Sequence, residues 1–136
     1  MKNCIFCKII NGEIPSYKIY DDEFTFAILD INPTSRGHVL VLPKKHFDMT
    51  ENTDNEILEK MIVVSKNLGK KIRKILKSDG FNININNDKY AGQEIMHTHF
   101  HIVQRFDGDG LKLWKANENE KSKVGETYNE IIKNLK

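Results

Sequence analysis

The sequence predicts an α+β fold: an antiparallel sheet of about five strands, one long helix, and short helices at the termini. Apolar residues recur at helical spacing between Asp54 and Lys77, which sets the long helix. FNININ (81–86) and MHTHFHIV (96–103) instead alternate with a period of two, as strands with one buried face do. A turn-rich break between two further apolar runs supplies the start of the sheet.

The elements follow in chain order. YKIY (17–20) and FTFAIL (24–29) flank Asp21-Asp22-Glu23 and read as a hairpin. HVLVLP (38–43) is a third strand, stopped by Pro43. In the helix, Ile57, Leu58, Met61, Ile62, Ser65, Leu68, Ile72, Ile75 and Leu76 form the inward stripe. Thr53 and Glu56 have capping-box spacing at its start. Lys70, Lys71, Arg73, Lys74 and Lys77 suit the negative end of the helix dipole, and Gly80 is placed to terminate it. In FNININ, Phe81, Ile83 and Ile85 line one face while Asn82, Asn84 and Asn86 line the other. The loop NDKYAGQE leads into the histidine strand. There His97, His99 and His101 share a face, spaced roughly 6.6 Å apart at about 3.3 Å per residue. Thr98, Phe100 and Ile102 point to the core. With the helix over the Phe/Ile face, the Asn and His faces form one polar surface, and a ligand belongs on it. From Asp107 onward come a Gly-rich turn, the lone Trp114 and a last short helix near 127–135.

The chain of 136 residues, 39% hydrophobic and 29% charged, fits one domain over 1–136, its core about 4–105 and its tail 106–136. A net charge of +2 is too small to imply a nucleic-acid partner, and KKIRKILK and KANENEKSK read as solvated surface. No apolar run approaches the roughly 20 residues of a membrane span. MKNCIFCKIING is too short in apolar residues for a signal peptide, so the expected compartment is reducing cytoplasm.

Three of the five histidines fall within five residues, and such a row makes a poor dry core, because each ring brings a donor and an acceptor. Three readings are open: partnered structural histidines, a metal site with i, i+2 ligands, or nucleophilic catalysis by an imidazole. Spacing alone does not choose between the last two. Cys4 and Cys7 form CxxC. A thioredoxin-type redox motif wants a βαβ setting that this element order lacks. Half of a structural zinc site is the better reading, with His46 and His97 as the available further ligands.

HTHFHIV resembles the His-x-His-x-His-hydrophobic-hydrophobic signature of the histidine-triad (HIT) superfamily. RGHVLVLPKKH resembles that family's upstream segment, and CIFCKIINGEIPS the N-terminus of its Hint-like microbial members. The resemblance runs to about Arg105 and implies a HIT-like fold. It implies a nucleotide hydrolase or transferase in which His99 attacks the α-phosphorus of a purine nucleotide and forms a covalent nucleotidyl-histidine. His101 would contact phosphoryl oxygens or leaving group and assist proton transfer, and His38 would line the site. Asp30 would bind the ribose hydroxyls, although Asp30-Ile31-Asn32-Pro33 is also a good turn. Leu40, with Phe6 and Ile28, would form the base pocket. Asn86 would touch the sugar-phosphate, and Gly92-Gln93 would lie on the phosphate side. Next to them many relatives carry a small hydroxyl residue, where this chain has Glu94, a site-lining residue that repels phosphate when ionised. The resemblance further supports one structural zinc per chain on Cys4, Cys7, His46 and His97. It favours AMP or GMP phosphoramidates and aminoacyl adenylates as substrates; dinucleoside polyphosphate hydrolysis and a nucleotide-binding regulatory role are the alternatives. It also implies a homodimer, with Trp114 reaching the partner's site.

Overall fold

The computed structural model describes residues 3–135. A short helix α1 (Ile5–Ile10) precedes the hairpin of β1 (Lys18–Asp21) and β2 (Thr25–Leu29). Then come β3 (Val39–Pro43), the long helix α2 (Asn55–Leu76), β4 (Gly80–Ile85) and β5 (Phe100–Arg105). The tail carries α3 (Glu118–Lys121) and α4 (Val124–Asn134). The five strands pair antiparallel throughout in the order β1-β2-β3-β5-β4, the sheet expected from the sequence.

Helix α2 covers one face of this sheet. Met61 and Val64 pack on Ala27, Val39, Val41, Phe100 and Ile102, with Ile57, Leu58, Leu68, Ile72, Phe81 and Ile83 at the margin. Gly69 lets the helix come close: a Cβ there would sit 2.5 Å from the Phe81 ring. The stripe is broader than the core it serves, since Ile62 and Ile75 remain exposed. Both predicted helix ends are corrected. Asp54 is the N-cap residue, and no side chain caps there. The Thr53 hydroxyl instead donates to the Met49 carbonyl, and it meets Thr98 Oγ1 at 2.8 Å. At the far end Lys77 itself takes the left-handed conformation (φ 57°), and Gly80 already belongs to β4.

The second face departs more from expectation. Register aligns Ile28, Leu40, His101 and Asn84 in one row across four strands, so this face is apolar on one side and polar on the other. The apolar half is a second core, closed by Phe6 and Ile9 of α1 over Ile28, Leu40 and Leu42. A continuous Asn/His surface does not form. Asn82 is bound by Arg105, and Asn86 lies beyond the end of β4. Nor is the histidine segment one strand: only His101 lies within β5, while His97 and His99 occupy the irregular stretch before it. The cause is visible at Thr98, whose N–H goes to the Phe47 carbonyl rather than to a neighbouring strand.

A histidine cluster beside an apolar cavity

The start of β3, the irregular stretch before β5 and β5 itself bring His38, His99 and His101 together, and hydrogen-bond partners fix which ring nitrogens carry protons. His99 is buried, and its Nδ1 lies 2.6 Å from the His97 carbonyl. A carbonyl only accepts, so Nδ1 carries the hydrogen and Nε2 is left with a lone pair. Thr34 N–H donates to His38 Nδ1 at 3.2 Å, which places the His38 proton on Nε2. That Nε2–H then donates to His101 Nδ1 at 2.9 Å, so the remaining His101 hydrogen sits on Nε2. The His99 and His101 rings are 4.9 Å apart between centroids, closer than a flat strand would hold them. Burial lowers the pKa of all three histidines, and takes that of His101, beside His99 and His38, down to about 4. Asp30 opposes this from 3.7 Å away at His38, but Nδ1 already accepts from Thr34, so no ion pair forms. All three rings are neutral near pH 7.

A cavity of about 500 Å³ opens beside them, within the usual size for a small-molecule site. Phe6, Ile28, Leu40, Asp30, Gly92, Glu94, His99 and His101, candidates from the sequence, line it. Phe6 also meets His99 edge-on at 5.1 Å. Asp30 both closes its turn, accepting from Asn32 N–H at 2.8 Å, and faces the cavity. Three expected residues stand elsewhere. His38 lies behind His101, not on the wall. The Asn86 amide reaches the Gly92 carbonyl at 3.4 Å, bracing the loop from outside the lining. Gln93 is buried and points inward: it accepts from Asp88 N–H and donates to the Asp48 and Ile95 carbonyls. Gly92 fits there with φ 94°, a conformation that favours glycine.

Sequence reasoning missed other residues of the apolar wall, among them Ile9, Ile14, Pro15 and Ile95. The Ile5, Phe6, Ile9, Ile10 pattern of α1 was a readable signal for part of it. It also missed Thr34, which acts through its backbone and leaves no side-chain signature. Trp114 is fully exposed and lines no part of the cavity.

The second cluster joins Cys4, Cys7, His46 and His97, the four residues expected as metal ligands, with their donor atoms within 4.8 Å of one another. A tetrahedral zinc with ordinary bond lengths separates two nitrogens by about 3.3 Å and nitrogen from sulfur by about 3.5 Å. Here His46 and His97 Nδ1 are 3.1 Å apart, and three N···S distances are 3.4, 3.4 and 3.6 Å. The Nε2–H of His97 donates to the Pro43 carbonyl at 2.9 Å, which leaves Nδ1 free to ligate. Burial and Cys4 push the Cys7 thiol up to about 11, so only a cation in the cluster would hold it as thiolate. The donor set fits zinc.

A fold with two histidine clusters, one beside a cavity of small-molecule size and one suited to a metal, defines a class, and its relatives name it. Residues 11–108 match the HIT domain model, so the chain belongs to the HIT family. It is 46% identical to an uncharacterized HIT-like protein of Methanocaldococcus jannaschii, covering 98% of each chain. It is 39% identical to the adenosine 5′-monophosphoramidase of Saccharomyces cerevisiae, over 97% of this chain and 82% of that one. An adenylylsulfatase of Arabidopsis thaliana is 43% identical, over 80% of this chain and 55% of that one. Among solved structures, a Streptococcus mutans protein superposes with a TM-score of 0.90 at 34% identity, covering all of this chain and 87% of that one. A zinc-bound histidine triad family protein of Mycobacterium smegmatis superposes at 0.79 with 39% identity, over 89% and 88% of the two chains.

Proposed function

We propose that this protein, a Hint-like member of the family, hydrolyses purine nucleoside phosphoramidates or aminoacyl adenylates at the α-phosphorus. The observation that carries the reading is the backbone-set tautomer of His99, which leaves Nε2 as a nucleophile on the cavity wall. A neutral imidazole needs no deprotonation before it attacks. The nucleoside fits the apolar end with its ribose hydroxyls on Asp30. His99 Nε2 then bonds to phosphorus as the bond to the leaving group breaks. His101 Nδ1 is occupied by His38 Nε2–H, so His101 presents its Nε2–H to the phosphate and donates to a phosphoryl oxygen. From a phosphoramidate the nitrogen leaves with its bonding pair and with a proton from solvent. Water next attacks phosphorus and releases a proton to solvent, and His99 departs with its lone pair restored. His38 holds His101 in the right tautomer through the Nε2–H hydrogen bond.

In this reading one zinc per chain on Cys4, Cys7, His46 and His97 is structural, because four protein ligands leave no open position for water. A homodimer in the cytoplasm accompanies it: exposed Val124, Tyr128, Ile131 and Ile132 along α4 support a partner, and no described helix is long and apolar enough to cross a membrane.

The test is intact-protein mass after brief mixing with an adenosine phosphoramidate, comparing the wild type with His101→Ala, which slows resolution. One added adenylate mapping to His99 is the expected result, and His99→Gly is expected to lose turnover by a factor of about a thousand or more. Binding with neither adduct nor product, across phosphoramidate and dinucleoside polyphosphate substrates, would replace the hydrolase reading with a regulatory one.

A further inference from the structure

Beyond the apolar cavity lies a second one of about 590 Å³, lined by Asn3, Cys4, His46 and Met96. Ile5, Glu94 and Ile95 line both, so Glu94 stands where the two spaces meet. The nucleoside takes the apolar end of the first cavity, with phosphorus at His99. Of the three residues that line both cavities Glu94 is the charged one, so a group on phosphorus that extends from the first cavity into the second would pass it. The Glu94 side chain is exposed and has no hydrogen bond or ion pair among the described residues. A zinc held by Cys4, Cys7, His46 and His97 would not offset its charge, since two thiolates, two imidazoles and Zn²⁺ sum to zero. A carboxylate at this junction, without a partner among the described residues, attracts a cation and repels an anion.

We propose that Glu94 selects nucleotide conjugates whose leaving group carries an ammonium, and discriminates against anionic leaving groups such as sulfate or phosphate. The proposal rests on the hydrolase reading above and specifies its substrate class. Aminoacyl adenylates belong to it, because their amino group lies a few bonds from phosphorus. So do phosphoramidates of diamines.

The test uses AMP phosphoramidates of three amines of matched length: diaminopropane (cationic), aminopropanol (neutral) and β-alanine (anionic). The full chain and Glu94→Gln are compared by the ratio of kcat/KM for each charged conjugate to that for the neutral one. Each ratio is internal to one protein, so loss of folded material cancels. The expected result is a cationic-to-neutral ratio about fivefold higher with Glu94 than with Gln, near the upper end for a solvent-facing ion pair. The anionic-to-neutral ratio moves the other way. Turnover with the same ratios in both proteins overturns this proposal and leaves the hydrolase reading standing. Binding of the same conjugates to His99→Gly, with and without Glu94→Gln, separates the other case. Absent turnover with a Glu94-dependent order of Kd would sink the hydrolase reading and keep the selectivity; absent turnover with no such order would sink both.

Discussion

At His101 two influences compete, and burial wins. The ring is held by His38 Nε2–H and crowded by His99, while Asp30 is the lone opposing charge, and its pKa falls to about 4. An unfolded histidine titrates near 6.5. Between about pH 6.5 and 4 the unfolded chain therefore binds a proton that the native protein refuses. The contribution of this neutral ring to stability is complete above about pH 6.5 and is lost as pH falls through that window. The size is on the order of 3 kcal/mol as an upper figure, since the ring is partly exposed. Urea midpoints at pH 7.5 and 4.5 check this: the wild type is expected to lose more than His101→Asn over that interval. Equal losses would mean that other groups, the metal ligands included, carry the acid sensitivity. Asp30 shows why the sequence left two readings at one residue: Oδ1 accepts from Asn32 N–H in the turn and Oδ2 lies 3.7 Å from His38 Nδ1, while the residue also lines the cavity.

Helix α2 shows how far periodicity reaches and where it stops. Its stripe predicted the buried face because 3.6-residue spacing is a property of any amphipathic helix. The same stripe did not show that Ile62 and Ile75 would stay exposed, since that depends on where the sheet ends. Nor did it mark Gly69, where the helix meets Phe81. Replacing Gly69 with Ala gains about 1 kcal/mol of helix propensity but forces its Cβ against the ring. A net loss of about 1–2 kcal/mol is expected from overpacking. Denaturant unfolding of Gly69→Ala, Phe81→Leu and the double variant measures it, and a double variant destabilised by less than the sum of the two singles locates the clash. The capping box failed for a similar reason. Thr53 has the right spacing, but Thr98 and the Met49 carbonyl hold its hydroxyl.

Across the whole molecule, the Cys4/Cys7/His46/His97 cluster ties α1 to the loop after β3 and to the segment before β5. Helix α1 also supplies Phe6 to the cavity wall and to the rings of His97 and His99. Metal removal is therefore expected to loosen cavity and fold together. Protein purified without chelator should carry one zinc per chain; stripping it should lower Tm by about 5–10 °C, as loss of a bound structural ligand of a few kcal/mol does. Unchanged Tm with stoichiometric zinc lost would show that packing alone holds α1. By itself the sequence determined what spacing encodes: the strands along the chain in outline, the long helix, the CxxC pair and the histidine motif. Local chemistry repeats at fixed intervals along a chain, so these are legible without coordinates. Tertiary structure decided what depends on partners distant in sequence. It put His38 behind His101, turned Gln93 inward, split the expected polar face into a second core, and fixed each ring's tautomer through the carbonyls of Pro43 and His97 and the N–H of Thr34. Those partners are backbone atoms common to every residue, and only folding says which of them arrives.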